Sequence, residues 1–225
     1  MIPLRDENPA PISPHVTRLF ILLNVAFFFL VWLSEDVRLL LNLQVPSLEE
    51  AIWKYGMIPI NILNGRKLYT LFTAMFLHGG LIHLLGNMLY LHIFGDNIES
   101  TFGHGRYIIF YLLCGVIASF IHILSIELFG GNLYLPAVGA SGAISGVLGA
   151  YLVLYPRARI LTLVMIYWIY IVRVPALFFL GFWFIFQLLE GLMTLGLWVP
   201  SGVAYWAHIG GFVAGMILAP ILKRR

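Results

Sequence analysis

Charged side chains are scarce in this chain. Asp, Glu, Lys and Arg make up 10% of its 225 residues, whereas an average soluble domain has about 25%. Hydrophobic residues make up 61%, and so few charges cannot cover the surface of a water-soluble globule. This composition excludes an ordinary soluble domain and indicates a polytopic membrane protein.

Cysteine is almost absent, since Cys114 is the single one in the chain. One cysteine excludes an intrachain disulfide, and the histidines show no spacing typical of a metal site. We therefore predict neither a metal ion nor a cofactor. The net charge of +3 is small and lies mostly beside apolar runs, which indicates membrane topology and no binding to nucleic acid.

Six apolar stretches have the length of a membrane-spanning helix, which needs about 20 residues. We predict spans at residues 17–34, 80–96, 106–126, 138–155, 175–194 and 204–222. Because Asp6 and Glu7 precede the first stretch, we expect it to remain as an anchor and not to be removed as a signal peptide. The sequence thus predicts an all-α polytopic membrane protein with a short N-terminal tail, one six-helix domain and a basic C-terminus, at residues 1–16, 17–222 and 223–225.

Charge bias sets the predicted topology. With six spans, the basic residues at both chain ends and after the second and fourth spans fall on one side, the cytoplasm by the positive-inside rule. We expect a multi-pass protein of a prokaryotic inner membrane with both termini in the cytoplasm. A large first loop joins the first two spans, and within it Ser47 and Glu50 have the spacing of a capping box. This pattern predicts a short helix at the membrane surface.

One apolar segment does not fit the count of six. Residues 160–172, ILTLVMIYWIYIV, number only 13 and run directly into Arg173. A seventh span here would place the terminal Lys-Arg-Arg on the outer side, against the charge bias. We therefore predict a re-entrant or interfacial segment.

Polar residues occur at one common depth in three predicted spans. A charged residue marks the cytoplasmic end of each of these spans. It follows Ser141, His208 or His83 by 15 or 16 residues. At 1.5 Å per residue they lie roughly 22–24 Å above that end, and Asn87 lies one turn deeper on the face of His83. Interhelical hydrogen bonding would explain any one of them. Four costly polar groups at matched depth favour a functional site.

Glycine is concentrated around two of these residues, in GASGAISGVLG at 139–149 and AHIGGFVAG at 207–215. Such stripes of small residues let helices approach closely. Close approach would bring Ser141 within hydrogen-bonding distance of His208, as a serine nucleophile activated by a histidine base requires. Ser141 also stands at a helix N-terminus, where backbone N–H groups favour an oxyanion, and the polar pair of the second span can add donors.

Three motifs together resemble the rhomboid intramembrane serine proteases. They are LHGGLIHLLGNM at 77–88, GASG at 139–142 and AHIGGFVAG at 207–215, and they occur in order on the second, fourth and sixth predicted spans. The resemblance implies the basic six-helix form of that family. It also implies cleavage of transmembrane protein substrates within the lipid bilayer, at a site that faces the outer side.

The resemblance implies roles for individual residues. Ser141 corresponds to the nucleophile and His208 to the general base. His83 and Asn87 correspond to the oxyanion side of the site, and Gly139 to the glycine that shapes the active-site turn. By the same resemblance Glu99 and Gly103 are structural residues on the cytoplasmic side.

The chain departs from the family pattern beside the predicted base. Many members carry a tyrosine that stacks on the catalytic histidine, and the matching residue here is Ser145. Trp206 or another aromatic residue is a candidate to orient His208, and the absence of an acidic third member predicts a Ser-His dyad. We interpret Gln187 and Glu190, which share a helix face, as an interfacial hydrogen bond or alternatively a gate contact.

Two alternatives to a protease remain open. A non-catalytic rhomboid-like protein that binds membrane clients typically lacks the serine or the histidine, and this chain has both. A channel or transporter would require broken helices or carboxylates at the midplane of the bilayer. The sequence leaves the oligomeric state open.

Overall fold

The computed structural model describes residues 1–33, 40, 42, 46–165, 168–197 and 203–224. The long helices are α1 (His15–Trp32), α5 (Leu81–Phe102), α6 (His104–Phe129), α7 (Ser141–Leu154), α8 (Ala176–Leu197) and α9 (Tyr205–Leu222). Shorter helices in the first loop are α2 (Leu48–Tyr55), α3 (Pro59–Leu63) and α4 (Thr70–Thr73). The strands are β1 (Ile2–Asp6), β2 (Arg159–Met165) and β3 (Ile169–Pro175).

The protein is a helical, polytopic membrane protein, as its composition predicts. Each predicted span coincides with a helix, and the ends differ by at most six residues. Among the described residues, α1, α6, α8 and α9 are long and apolar enough to cross a membrane. α5 qualifies together with the short helical segment before it, across a 94° bend, and α7 is a shorter apolar helix. The count of six spans therefore stays a prediction.

Helix α7 lies at the centre of the bundle. All its residues from Gly142 to Tyr151 are buried, and it packs against α5, α6, α8 and α9. Because other helices surround most of its length, it can be built from small and apolar residues all round. Its first residue, Ser141, therefore lies inside the bundle.

The glycine stripes of α7 and α9 bring the two backbones into direct contact. A Cβ added at Gly211 would overlap the carbonyl oxygen of Gly142, and one added at Gly215 would overlap that of Gly146. A side chain at either position would force the helices apart. This confirms the close approach that the glycine pattern predicts.

Within the range 160–172, the described residues lie in strands β2 and β3, apart from Trp168, and none of them is helical. β2 and β3 pair antiparallel, and β1 from the N-terminal tail adds to the other edge of β2 in the order β1-β2-β3. The fold is thus mostly helical, as predicted, and it also contains a small three-stranded sheet. β-branched and aromatic residues favour a strand here, but β1 is more than 150 residues away in sequence, and no local pattern indicates that pairing. The position of this sheet relative to the bilayer stays a prediction.

The capping box in the first loop is present. The backbone N–H of Ser47 donates to Glu50 Oε2 at 2.8 Å, and that of Glu50 donates to Ser47 Oγ at 3.3 Å. Helix α2 accordingly begins directly after Ser47. The loop then contacts the segment before α7, because Met57 and Ala137 exchange two backbone hydrogen bonds of 3.0 and 2.8 Å.

Glu99 connects the ends of three helices. Its buried carboxylate accepts hydrogen bonds from the backbone N–H groups of Val16 and Thr17 at 2.9 and 2.8 Å, which are free donors in the first turn of α1. It also contacts His104 Nδ1 at 2.6 Å. Gly103, with φ of 75°, makes the break between α5 and α6. Glu99 thus connects helix ends and Gly103 shapes the break between two helices, and the side of the membrane on which they lie stays a prediction.

Candidate active site

Ser141 and His208 form a hydrogen bond between α7 and α9. Ser141 Oγ lies 2.8 Å from His208 Nε2. Ser141 is the first residue of α7, and His208 lies in the first turn of α9. The backbone contact between Gly142 and Gly211 lies directly below this pair, so the glycines set the distance between the two side chains.

The second ring nitrogen of His208 also has a partner. His208 Nδ1 lies 2.8 Å from Oε1 of Gln187, a buried residue of α8. With the amide oxygen of Gln187 as acceptor, the ring proton is assigned to Nδ1, and Nε2 is then the nitrogen that can accept from the hydroxyl of Ser141. The hydrogen bond expected for Gln187 is present, and its partner is His208 of α9.

The sequence offers Trp206 or another aromatic residue as the one beside His208. In the described part of the chain, the ring of Trp206 stacks on Phe129 at a centroid distance of 5.7 Å. The ring of Trp183, on the same helix as Gln187, lies 6.2 Å from the imidazole at an angle of 33°. Helix α8 thus supplies both an aromatic ring and a hydrogen-bond acceptor beside His208.

Ser145 occupies the position where many family members have the tyrosine. Its hydroxyl donates to the carbonyl oxygen of Ser141 at 2.7 Å, and its Cβ would lie 3.3 Å from a Cβ on Gly211. Because Ser145 faces α9 at the glycine contact, a large side chain there would push α9 outward. The small residue therefore fits the close packing of these two helices.

Gly139 shapes the turn before Ser141. Its φ of 130° is one that residues with a side chain rarely adopt, and its N–H donates to the carbonyl oxygen of Ala74 at 2.9 Å. A Cβ at this position would lie 2.9 Å from the ring of His83 and 3.5 Å from Ser141 Oγ. Gly139 thus leaves room for His83 beside Ser141.

The polar side chains of α5 and the loop before it complete the site. Asn87 is buried, and its Nδ2 has no hydrogen-bond partner among the described residues. His78 is buried as well, with its ring 5.1 Å from that of His83 and both nitrogens unpaired within the described chain. The sequence pattern assigns no role to His78, because a histidine before a helix gives no sign of burial. Asn87 lies one turn beyond His83 on α5, and an unpaired donor at that position suits the oxyanion side of an acyl-transfer site.

The chain is similar in sequence to known proteins of one family. A family model described as Rhomboid domain matches residues 65–225. The chain is 36% identical over 165 residues to RHOMBOID-like protein 4 of Arabidopsis thaliana, covering 73% of this chain and 36% of that protein. It is 30% identical over 212 residues to Rhomboid protease GluP of Bacillus subtilis (strain 168), covering 93% of this chain and 35% of that protein.

A mitochondrial relative is more distant. Rhomboid protein 1, mitochondrial, of Saccharomyces cerevisiae is 26% identical over 181 residues, covering 77% of this chain and 47% of that protein. The chain thus spans from about a third to about half of the length of these relatives. The family model covers most of the chain and includes every residue of the site, and on these grounds the chain belongs to the rhomboid family.

Proposed function

We propose that this protein is an intramembrane serine endopeptidase that hydrolyses peptide bonds in or near transmembrane segments of other membrane proteins. The hydrogen bond of 2.8 Å between Ser141 Oγ and His208 Nε2, at the N-terminus of a buried helix, carries the proposal. Membership of the rhomboid family supports it, as does similarity to a relative that is named a rhomboid protease.

The chemistry is acyl transfer by a serine and a histidine. His208 Nε2 takes the proton of Ser141 Oγ as the oxygen attacks the peptide carbonyl, and a tetrahedral intermediate forms. His208 then gives that proton to the leaving amine, which leaves an acyl-enzyme on Ser141. Water attacks the acyl group with His208 again as the base, and the serine is regenerated.

The oxyanion of the intermediate requires donors beside Ser141. Helix α7 begins at this residue, so the first backbone N–H groups of the helix lack intrahelical partners. The ring of His83, which lies beside Gly139, and the unpaired Nδ2 of Asn87 one turn further along α5 are the side-chain donors of the proposed oxyanion hole. Gly139 allows the ring of His83 to approach, because no Cβ stands between that ring and Ser141.

The proposed topology places the site toward the outer side of the membrane. Both termini then lie on the inner side, and residues 17–222 form one membrane domain. The relatives include a bacterial protein and one named as mitochondrial, so the comparisons do not support the expected restriction to a prokaryotic inner membrane. The substrate class, transmembrane proteins, follows from the membrane position of the site.

Cleavage of a transmembrane reporter tests the proposal. The purified protein in liposomes should cut the reporter, and Ser141→Ala and His208→Ala should each abolish cutting while the melting temperature stays close to that of the wild type. Cleavage by Ser141→Ala at the wild-type rate would contradict the proposal. Binding of the reporter without cleavage by the wild type would favour the alternative, a non-catalytic protein that binds membrane clients.

A further inference from the structure

We propose that Gln187 is a positioning residue that holds His208 in the tautomer able to activate Ser141. The inference rests on the proposed function, because it assigns a task only if His208 acts as the base. It extends the predicted Ser-His dyad to an uncharged third member, supplied by a different helix from either dyad residue.

The position of Gln187 supports a specific contact. The side chain is 7% exposed and lies in a helix whose outer face carries large apolar residues such as Phe182 and Phe186. A buried amide without a partner is costly, and its oxygen contacts His208 Nδ1 at 2.8 Å. Gln187 is therefore placed by burial and by a hydrogen bond to one particular atom.

The tautomer explains why this contact matters. A neutral imidazole has one N–H donor and one acceptor nitrogen. Ser141 can be deprotonated only by an unprotonated Nε2, so the ring proton must be on Nδ1. The amide oxygen of Gln187 accepts from Nδ1–H and stabilises this form. In the described part of the chain, these two hydrogen bonds are the ones that the ring makes.

An amide also suits a site inside a membrane. A carboxylate at this position would orient the ring in the same way, but an ionised group at this depth carries a larger desolvation cost. Gln187 provides the acceptor without a charge. We therefore expect it to fix the orientation of the ring. It should stabilise the positive charge that develops on the ring less than a carboxylate would.

Glu190 offers a matched control on the same helix. It lies one turn beyond Gln187, and its side chain interacts with Tyr205 of α9. If Gln187 only connected α8 to α9, its substitution would affect kcat as little as substitution of Glu190. If Gln187 positions His208, its substitution should lower kcat more, because of the two residues only Gln187 contacts His208.

The test compares steady-state cleavage of the transmembrane reporter by four variants with that by the wild type. Gln187→Met keeps the length and removes the acceptor, so kcat should fall by about 10–100-fold while KM changes less than about twofold. This loss is smaller than the roughly 10⁴-fold that a wrong tautomer costs in serine protease triads, because Ser141 still contacts the ring. Gln187→Glu restores an acceptor and should recover kcat to within about fivefold of the wild type. Glu190→Gln should leave kcat within about twofold, and Ser141→Ala should abolish cleavage.

Two outcomes would overturn the inference and leave the proposed function intact. One is an unchanged kcat for Gln187→Met, and the other is an equal loss in Gln187→Met and Glu190→Gln. Cleavage by Ser141→Ala would instead refute the proposed function. If the variants do not fold, the inference can still be tested on the wild type. The ¹⁵N chemical shifts of labelled histidine report which ring nitrogen carries the proton. The neutral ring of His208 should carry its proton on Nδ1, and a proton on Nε2 would overturn the inference.

Discussion

Gly211 of α9 packs against the carbonyl oxygen of Gly142 of α7 so closely that no side chain fits between them. Ser141 lies one residue before Gly142, and His208 lies three before Gly211. The contact therefore fixes the separation of the two side chains that share the 2.8 Å hydrogen bond. Packing and the proposed chemistry depend on the same pair of glycines.

The first prediction concerns Gly211→Ala. The added methyl group overlaps backbone, which cannot move without shifting a helix, so α7 and α9 should separate. Overpacking of this kind costs about 1–3 kcal/mol, and the bond between Ser141 and His208 should lengthen. We expect a lower melting temperature and at least a tenfold loss of reporter cleavage.

Gly181→Ala is the matched control for that substitution. Gly181 lies in α8, and a Cβ there has no neighbouring atom within 4 Å. Replacing a helical glycine by alanine stabilises a helix by up to about 1 kcal/mol, so this variant should retain activity and stability. Wild-type cleavage by Gly211→Ala would contradict the role of the glycine contact.

The second prediction concerns the oxyanion side. His83→Ala and Asn87→Ala each remove a donor from the proposed oxyanion side of the site, and loss of one such donor costs about 10²–10³ in kcat. Steady-state kinetics should show this loss with little change in KM. Ile82→Ala is the control, because Ile82 neighbours His83 on α5 and is 82% exposed. A kcat for both donor variants as high as that of Ile82→Ala would rule out an oxyanion role.

The third prediction is a pH dependence of the docking of β1, whose last residue is Asp6. The carboxylate Oδ2 of Asp6 accepts from the hydroxyl of Tyr151 at 2.6 Å and from Nδ2 of Asn97 at 2.8 Å. Burial raises the pKa of Asp6 to about 6, the hydrogen bond from Tyr151 opposes this rise, and the nearby Asp96 adds to it. Folded protein therefore binds more protons at this site than unfolded protein between pH 4 and 6.

The sign of the effect follows from linkage. Docking of β1 should be strongest below about pH 4 and weaken as the pH rises to about 6, because the pKa of Asp6 is higher in the docked state. Hydrogen exchange of residues 2–6, corrected for intrinsic rates, should show less protection at pH 7.5 than at pH 5. Asp6→Asn cannot ionise and should remove the difference. Equal protection of the wild type at both pH values would contradict this account.

Much of the bundle is predictable from local sequence. Spans follow from apolar length, and the meeting of Ser141 with His208 follows from glycines next to each of them. The length of an apolar stretch and GxxxG spacing are both local features of the sequence. They predict the fold well here because they determine how a helix contacts lipid or another helix. Apolar length predicts the helix ends less accurately. Helix α5, for example, continues past its apolar stretch and ends only at Gly103.

Two features depend on contacts that no local pattern indicates. β1 pairs with β2 across most of the chain, and the apolar residues of β2 and β3 alone suit a buried helix segment as well as a strand. Gln187 reaches His208 only because α8 is rotated toward α9, and the sequence does not give that rotation. In the sequence, the feature that could have pointed to this contact is one polar residue, Gln187, after a segment rich in phenylalanine.

Covalent labelling by a fluorophosphonate tests the central claim, that Ser141 is a nucleophile activated by His208. Such a probe phosphonylates an activated serine, and intact mass with peptide mapping identifies the modified residue. We predict one adduct on Ser141 in the wild type, no adduct in Ser141→Ala, and labelling at least about 10²-fold slower in His208→Ala. Labelling of Ser141→Ala at the wild-type rate, or of His208→Ala as fast as the wild type, would contradict the claim.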